Sequence, residues 1–114
     1  MRLNDFQIMP NFNLREFQCP CCHCVLLNRR LAAALQRLRD QLSAPIMLTS
    51  GYRCAAHNKA VGGAEKSLHR LGLAADVIVA DERQAEFCAL ARKAGFSRAL
   101  AYPDRGFVHL EVCE

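Results

Sequence analysis

The chain has 114 residues, 52% of them hydrophobic and 23% charged, with a formal net charge of +4 and seven cysteines. That length suits one domain with a real core over residues 1–114 and is short for two. The balanced composition excludes a low-complexity chain, and no apolar run approaches the ~20 residues a membrane span needs. The first ten residues lack the apolar stretch of a secretory leader, so the chain is expected to be cytoplasmic as synthesised. An odd cysteine count in that setting points to thiols or metal rather than a disulfide framework.

Asn13-Leu14-Arg15-Glu16 is a cap with an acid three residues on, which predicts a short helical turn. The segment Cys19-Pro20-Cys21-Cys22-His23-Cys24 is a knuckle or loop. Asn28 caps a predicted helix over residues 29–42, with Leu31, Leu35, Leu38 and Leu42 on one face. Pro45 ends it, and residues 46–49 form a short buried strand. Residues 50–73 are loop-rich, punctuated by Gly51, Gly62, Gly63 and Gly72. A second strand covers residues 74–80. Asp81-Glu82-Arg83-Gln84 is a capping pattern that opens a helix carrying Phe87, Leu90, Ala91 and Ala94, stopped by Gly95. A strand over 97–102, a turn at Pro103-Asp104-Arg105-Gly106 and a strand over 107–112 complete the chain. Helices and strands interleave without long parallel crossovers. The expected class is α+β, a small, mainly antiparallel sheet with helices packed on one face.

Chemistry-bearing residues gather in the second half. Alternation along residues 107–112 sends Val108, Leu110 and Val112 to the core and turns Phe107, His109 and Glu111 toward a cleft. Asp76 sits among apolar neighbours from Leu73 to Val79, where an unpaired carboxylate is costly and something positive should meet it. His69 lies in a glycine-bounded loop seven residues before Asp76. Two imidazoles and one carboxylate make an open zinc set that leaves a fourth position for water.

The run Ser50-Gly51-Tyr52-Arg53, then His57-Asn58, Val61-Gly62-Gly63-Ala64, Ser67-x-His69-x-x-Gly72-x-Ala74-x-Asp76 and finally Val108-His109 resembles the zinc D-Ala-D-Ala carboxypeptidase family. Relatives of that family include phage endolysin peptidases and the zinc-bearing signalling domain of Hedgehog proteins. The likeness covers residues 11–112. It implies that His69, Asp76 and His109 hold a catalytic Zn²⁺, that Ser67 contacts the substrate peptide, and that Arg53 holds the substrate and polarises its carbonyl or carboxylate. A guanidinium reads a carboxylate bidentately, and a developing oxyanion needs a cation beside it. The alternatives are a structural salt bridge for Arg53 and a turn cap for Ser67. Tyr52 either lines the cleft or packs, and Tyr102 is a further residue for the cleft edge.

Many family members carry the proton-shuttling acid three residues before the last histidine. Here that position is Gly106, and the nearby carboxylates are Asp104 and Glu111. Asp104 is the first choice for the general base. Glu111 is the second, or else orients a ligand or pairs with Arg53. The cysteine segment holds two Cys-x-x-Cys spacings, and Cys19, Cys22 and Cys24 with distant Cys54 form a candidate structural zinc site. Free thiols and a disulfide to Cys54 are the alternatives. Cys88 and Cys113 are filler thiols, and His23 and His57 stand outside the catalytic zinc set.

The resulting expectation is a monomeric zinc peptidase acting on bacterial cell-wall stem peptides, as D,D-carboxypeptidase or endopeptidase. With no leader, it would reach the wall after release or export by another route, as a phage or prophage enzyme would. The runner-up is a catalytically silent, zinc-containing binding module of the same fold. Neither a membrane nor a nucleic acid is an expected partner. Arg29, Arg30, Arg37 and Arg39 are spread around their helix rather than gathered in one stripe.

Overall fold

The computed structural model describes residues 3–113. Its centre is a four-stranded antiparallel sheet in the order β3-β4-β6-β5, built from β3 (Leu48–Ser50), β4 (Ala74–Ile78), β5 (Arg98–Tyr102) and β6 (Phe107–Glu111). A separate two-stranded ribbon pairs β1 (Gln7–Met9) with β2 (Phe12–Asn13). Three helices complete it: α1 (Arg29–Gln41), α2 (Ala55–Ala60) and α3 (Gln84–Ala94).

Alternation on the two central strands makes the layers. Ala75 and Val77 of β4 and Val108 and Leu110 of β6 are buried in the core with Leu31, Ala34, Leu35 and Leu38 of α1 and Phe87, Ala91 and Ala94 of α3. Burying each such leucine stabilises the fold by roughly 1.5–3 kcal/mol. The opposite face of these strands carries Asp76 and His109, directly paired across the β4–β6 ladder. The α+β class with helices on one sheet face is therefore the architecture observed.

Local signals act largely as expected. The Asn13 and Glu16 capping box opens a single 3₁₀ turn over Leu14–Phe17. Asn28 accepts from the Arg30 amide at 2.8 Å and starts α1. Gly95, at φ 113°, ends α3. Three features differ. The first sheet strand lies at 48–50 rather than 46–49. The loop-rich stretch holds α2 and a 3₁₀ turn over Leu68–Leu71. The Asp81 carboxylate does not cap α3; its Oδ2 accepts the Asp104 amide at 2.9 Å and so ties the β5–β6 turn to the start of the α3 segment. Among the described residues, no helix is long and apolar enough to cross a membrane.

Candidate metal centre

One row crosses the sheet: Ser50 on β3 pairs with Asp76 on β4, Asp76 with His109 on β6, and His109 with Leu100 on β5. Antiparallel partners project to the same side, so the row places a hydroxyl, a carboxylate and an imidazole next to one another. The third group comes from the loop side. Ser67 Oγ accepts from the His69 amide at 3.2 Å and caps the 3₁₀ turn that swings His69 over Asp76.

A hydrogen bond fixes the tautomer of His69. His69 Nδ1 lies 2.8 Å from the carbonyl oxygen of Gly51. A carbonyl only accepts, so Nδ1 carries the proton and Nε2 presents a lone pair. His109 stands between two carboxylates, Glu111 Oε1 at 2.8 Å from Nε2 and Asp76 Oδ1 at 2.8 Å from Nδ1; with Nδ1 on a metal, the ring proton would go to Nε2, where Glu111 accepts it. His69 Nε2 is buried without a hydrogen-bond partner, 3.4 Å from Asp76 Oδ1. One ligand atom each from His69, Asp76 and His109 thus converge, all within 4.8 Å of one another, with His69 Nε2 at 3.4 Å and His109 Nδ1 at 2.8 Å from Asp76 Oδ1. Buried acceptors facing each other call for a cation. A tetrahedral zinc with bonds of about 2.0–2.1 Å separates its ligand atoms by about 3.3 Å, close to the spacing found here. The donor set therefore fits a zinc ion.

The electrostatics agree. Burial alone would raise the Asp76 carboxyl, but His109 and His69 outweigh it and hold the group well below the usual carboxylate range. Burial lowers His109, and the flanking Asp76 and Glu111 more than reverse this, so its imidazole is pushed up.

Arg53 completes the cluster. Its Nη2 is 3.3 Å from Asp76 Oδ2, its Nε donates to Ser50 Oγ at 3.1 Å and its Nη1 to Asn58 Oδ1 at 3.3 Å. Asn58, only 2% exposed, is locked in turn by donating to the Ala64 carbonyl at 2.7 Å. Gly63 makes room for this shelf, because a Cβ there would collide with Asn58 Oδ1 and approach Arg53 Nη1 to 3.1 Å. Ser50 and Asn58 thus orient the guanidinium, a role that sequence reasoning missed. The Ser-Gly-Tyr-Arg and His-Asn motifs contain both residues without revealing that they share one partner.

The remaining expected residues separate. Ser67 stands at the cluster as a cap. Tyr52 lies beside the cysteine knuckle, where partial burial first and then the surrounding thiols push its hydroxyl up. Glu111 contacts His109, and its other oxygen lies 3.7 Å from Arg98; it does not pair with Arg53. Asp104 stands in the exposed β5–β6 turn at φ 72°, outside the cluster, with its amide held by Asp81. Gly106 also has φ 72°, a left-handed backbone that glycine adopts freely. At the ends of β5 and β6, Tyr102 stacks on Phe107 at 4.6 Å and the Arg105 guanidinium covers the Phe107 ring at 5.9 Å. The thiols brought together are Cys19, Cys21, Cys22 and Cys54. Cys21 takes the place expected of Cys24. Cys88 is buried and Cys113 exposed.

The sequence pattern described as Peptidase M15 matches residues 10–111. The chain belongs to the peptidase M15 family. No curated protein matches it by sequence. Peptidase M15 is a family of zinc-dependent metallopeptidases. The convergence of His69, Asp76 and His109 is the feature of this structure that answers to such chemistry.

Proposed function

We propose that this M15 member is a zinc-dependent peptidase that hydrolyses the stem peptides of bacterial peptidoglycan. The observation that carries the proposal is the focus of three ligand atoms, one of them a buried nitrogen with no hydrogen-bond partner. His69 Nε2, Asp76 Oδ1 and His109 Nδ1 would hold the ion. Bound there, zinc would supply Lewis acidity and lower the pKa of a water at its open position.

The chain's own residues do the rest. Glu111 keeps the proton on His109 Nε2 and so fixes the ring with Nδ1 inward. Arg53, steadied by Ser50 and Asn58, directs its guanidinium at the cluster. There it binds the substrate's carboxylate or the oxygen on which negative charge develops. Ser67 accepts from the His69 amide through its oxygen, which leaves the hydroxyl proton for a substrate carbonyl. Tyr102, Phe107 and Arg105 form a flat edge along which a peptide can lie. With Glu111 engaged by His109, we assign the proton role to Asp104, the other carboxylate near the last ligand in sequence. One chain supplies all of these groups, and the monomer is the working unit proposed.

The test is hydrolysis of purified muropeptides by the zinc-loaded chain, with products identified by mass spectrometry. Cleavage next to D-alanine that stops with a chelator and returns with zinc is the expected result. A fully loaded chain that binds the peptides without cleaving them would instead establish the silent binding module, consistent with Gly106 in place of an acid.

A further inference from the structure

We infer that Cys19, Cys21, Cys22 and Cys54 form a second metal site, a closed four-thiolate site for a structural zinc ion. Residues 19–22 belong to the loop after the Leu14–Phe17 turn, and Cys54 is the cap of α2, so the four ligands bind together two segments more than thirty residues apart.

Geometry carries the inference. The four sulfurs lie within 4.8 Å of one another, with Cys21 to Cys54 at 3.3 Å and Cys19 to Cys21 at 3.6 Å. A tetrahedron with metal–sulfur bonds of about 2.3 Å has edges of about 3.8 Å. A disulfide needs sulfurs about 2.05 Å apart and would use two of the four. Backbone amides also point at the sulfurs. The Cys54 amide donates to Cys19 Sγ at 3.5 Å and the His57 amide to Cys54 Sγ at 3.4 Å. Donors of this kind stabilise thiolates, the form that binds metal. Cys24 acts through its backbone instead, since its carbonyl accepts the Cys19 amide at 2.8 Å and closes the loop. His23, at φ 61°, makes the sharp bend inside that loop. With four protein ligands no vertex is left for water, so the site is structural. On binding, each coordinating thiol gives its proton to solvent.

The inference is independent of catalysis, and its test reads metal and not turnover. The full-length chain purified with zinc should contain two equivalents by elemental analysis. H69A should retain one. After cobalt(II) exchange, H69A should show the intense thiolate-to-cobalt charge-transfer absorption of a tetrahedral four-sulfur site. That absorption should vanish in H69A combined with C21S and persist in H69A combined with C24S. Because a cysteine variant can misfold, the wild-type spectrum decides independently: cobalt-loaded wild type without the charge-transfer band overturns the site. So do a disulfide among the four cysteines found by mass spectrometry, and C24S abolishing the band while C21S spares it. A loaded but inactive wild type would undo the peptidase proposal and leave this one standing.

Discussion

Two clusters of metal-binding chemistry flank Arg53, and they are built on opposite plans. On one side, Cys54 joins three cysteines of a tight loop, four like ligands from two loop segments. On the other, Asp76 and His109 stand in paired strands and His69 reaches over them, three ligands backed by Gly51, Glu111 and Arg53. The first set has enough ligands to close a tetrahedron and needs only proximity. The second leaves a vertex vacant, so its orientation must be imposed by hydrogen bonds from outside. A closed site can sit in loops because the metal itself orders them. An open site needs the rigidity of a sheet.

The sharpest way to break this contrast is H69A. Loss of one of three ligands should cost several kcal/mol of transition-state stabilisation, about 10³-fold or more in muropeptide hydrolysis, and one metal equivalent of two. Retention of full activity would remove His69 from the open site. Next comes D104N, which should lower kcat by about 10²–10⁴-fold while metal content stays the same, as expected for loss of a proton carrier. If D104N is fully active, the proton role passes to Glu111 or to a group outside this turn.

R53K separates charge from shape. Lysine keeps the positive charge but loses the fork that contacts Asp76, Ser50 and Asn58 together. A fall of about 10²-fold in kcat/KM with unchanged metal content is expected. Wild-type kinetics would make Arg53 a plain charge partner of Asp76. E111Q should act through His109. An amide holds the Nε2 proton less strongly, so zinc affinity at the open site should fall about 10–100-fold by competition with a chelating dye. The thiolate-to-cobalt band should not change. Activity restored at saturating zinc marks Glu111 as a positioning residue; activity still lost there would make it the proton carrier.

What was legible beforehand follows from the range of each signal. The helices α1 and α3 were readable because leucine and alanine spacing, Asn28 and Gly95 act within a few residues. The alternation of Val108, His109 and Leu110 gave the cleft face of β6 for the same reason. The orienting bonds were not readable. His69 to Gly51, Asn58 to Arg53 and Glu111 to His109 depend on which loop folds over which strand, and spacing does not specify that. The cysteine ligand set illustrates the limit well. Two overlapping Cys-x-x-Cys spacings allow Cys21 or Cys24, and the choice is made by a backbone bond from Cys19 to the Cys24 carbonyl. The short ribbon of β1 and β2 left no pattern, its strands being three and two residues long.

The smallest expected effect tests how the open site is supported. Gly63 carries no chemistry, yet a methyl group there would press on the Asn58 side chain, whose Cγ lies 2.9 Å from the added carbon. Asn58 is buried and tied to Ala64, so it cannot simply swing away. G63A should therefore cost about 1–3 kcal/mol of stability, a fall in Tm of roughly 4–8 °C per kcal/mol for a small domain. It should also weaken peptide turnover through displacement of Arg53 Nη1. Both metal equivalents should remain, because the added methyl meets Asn58 and Arg53 and none of the ligands. If G63A melts like wild type and turns over peptide as well, Asn58 does not brace Arg53. The guanidinium would then be oriented by Ser50 and Asp76 alone, and the open site would rest on the sheet without help from the loop.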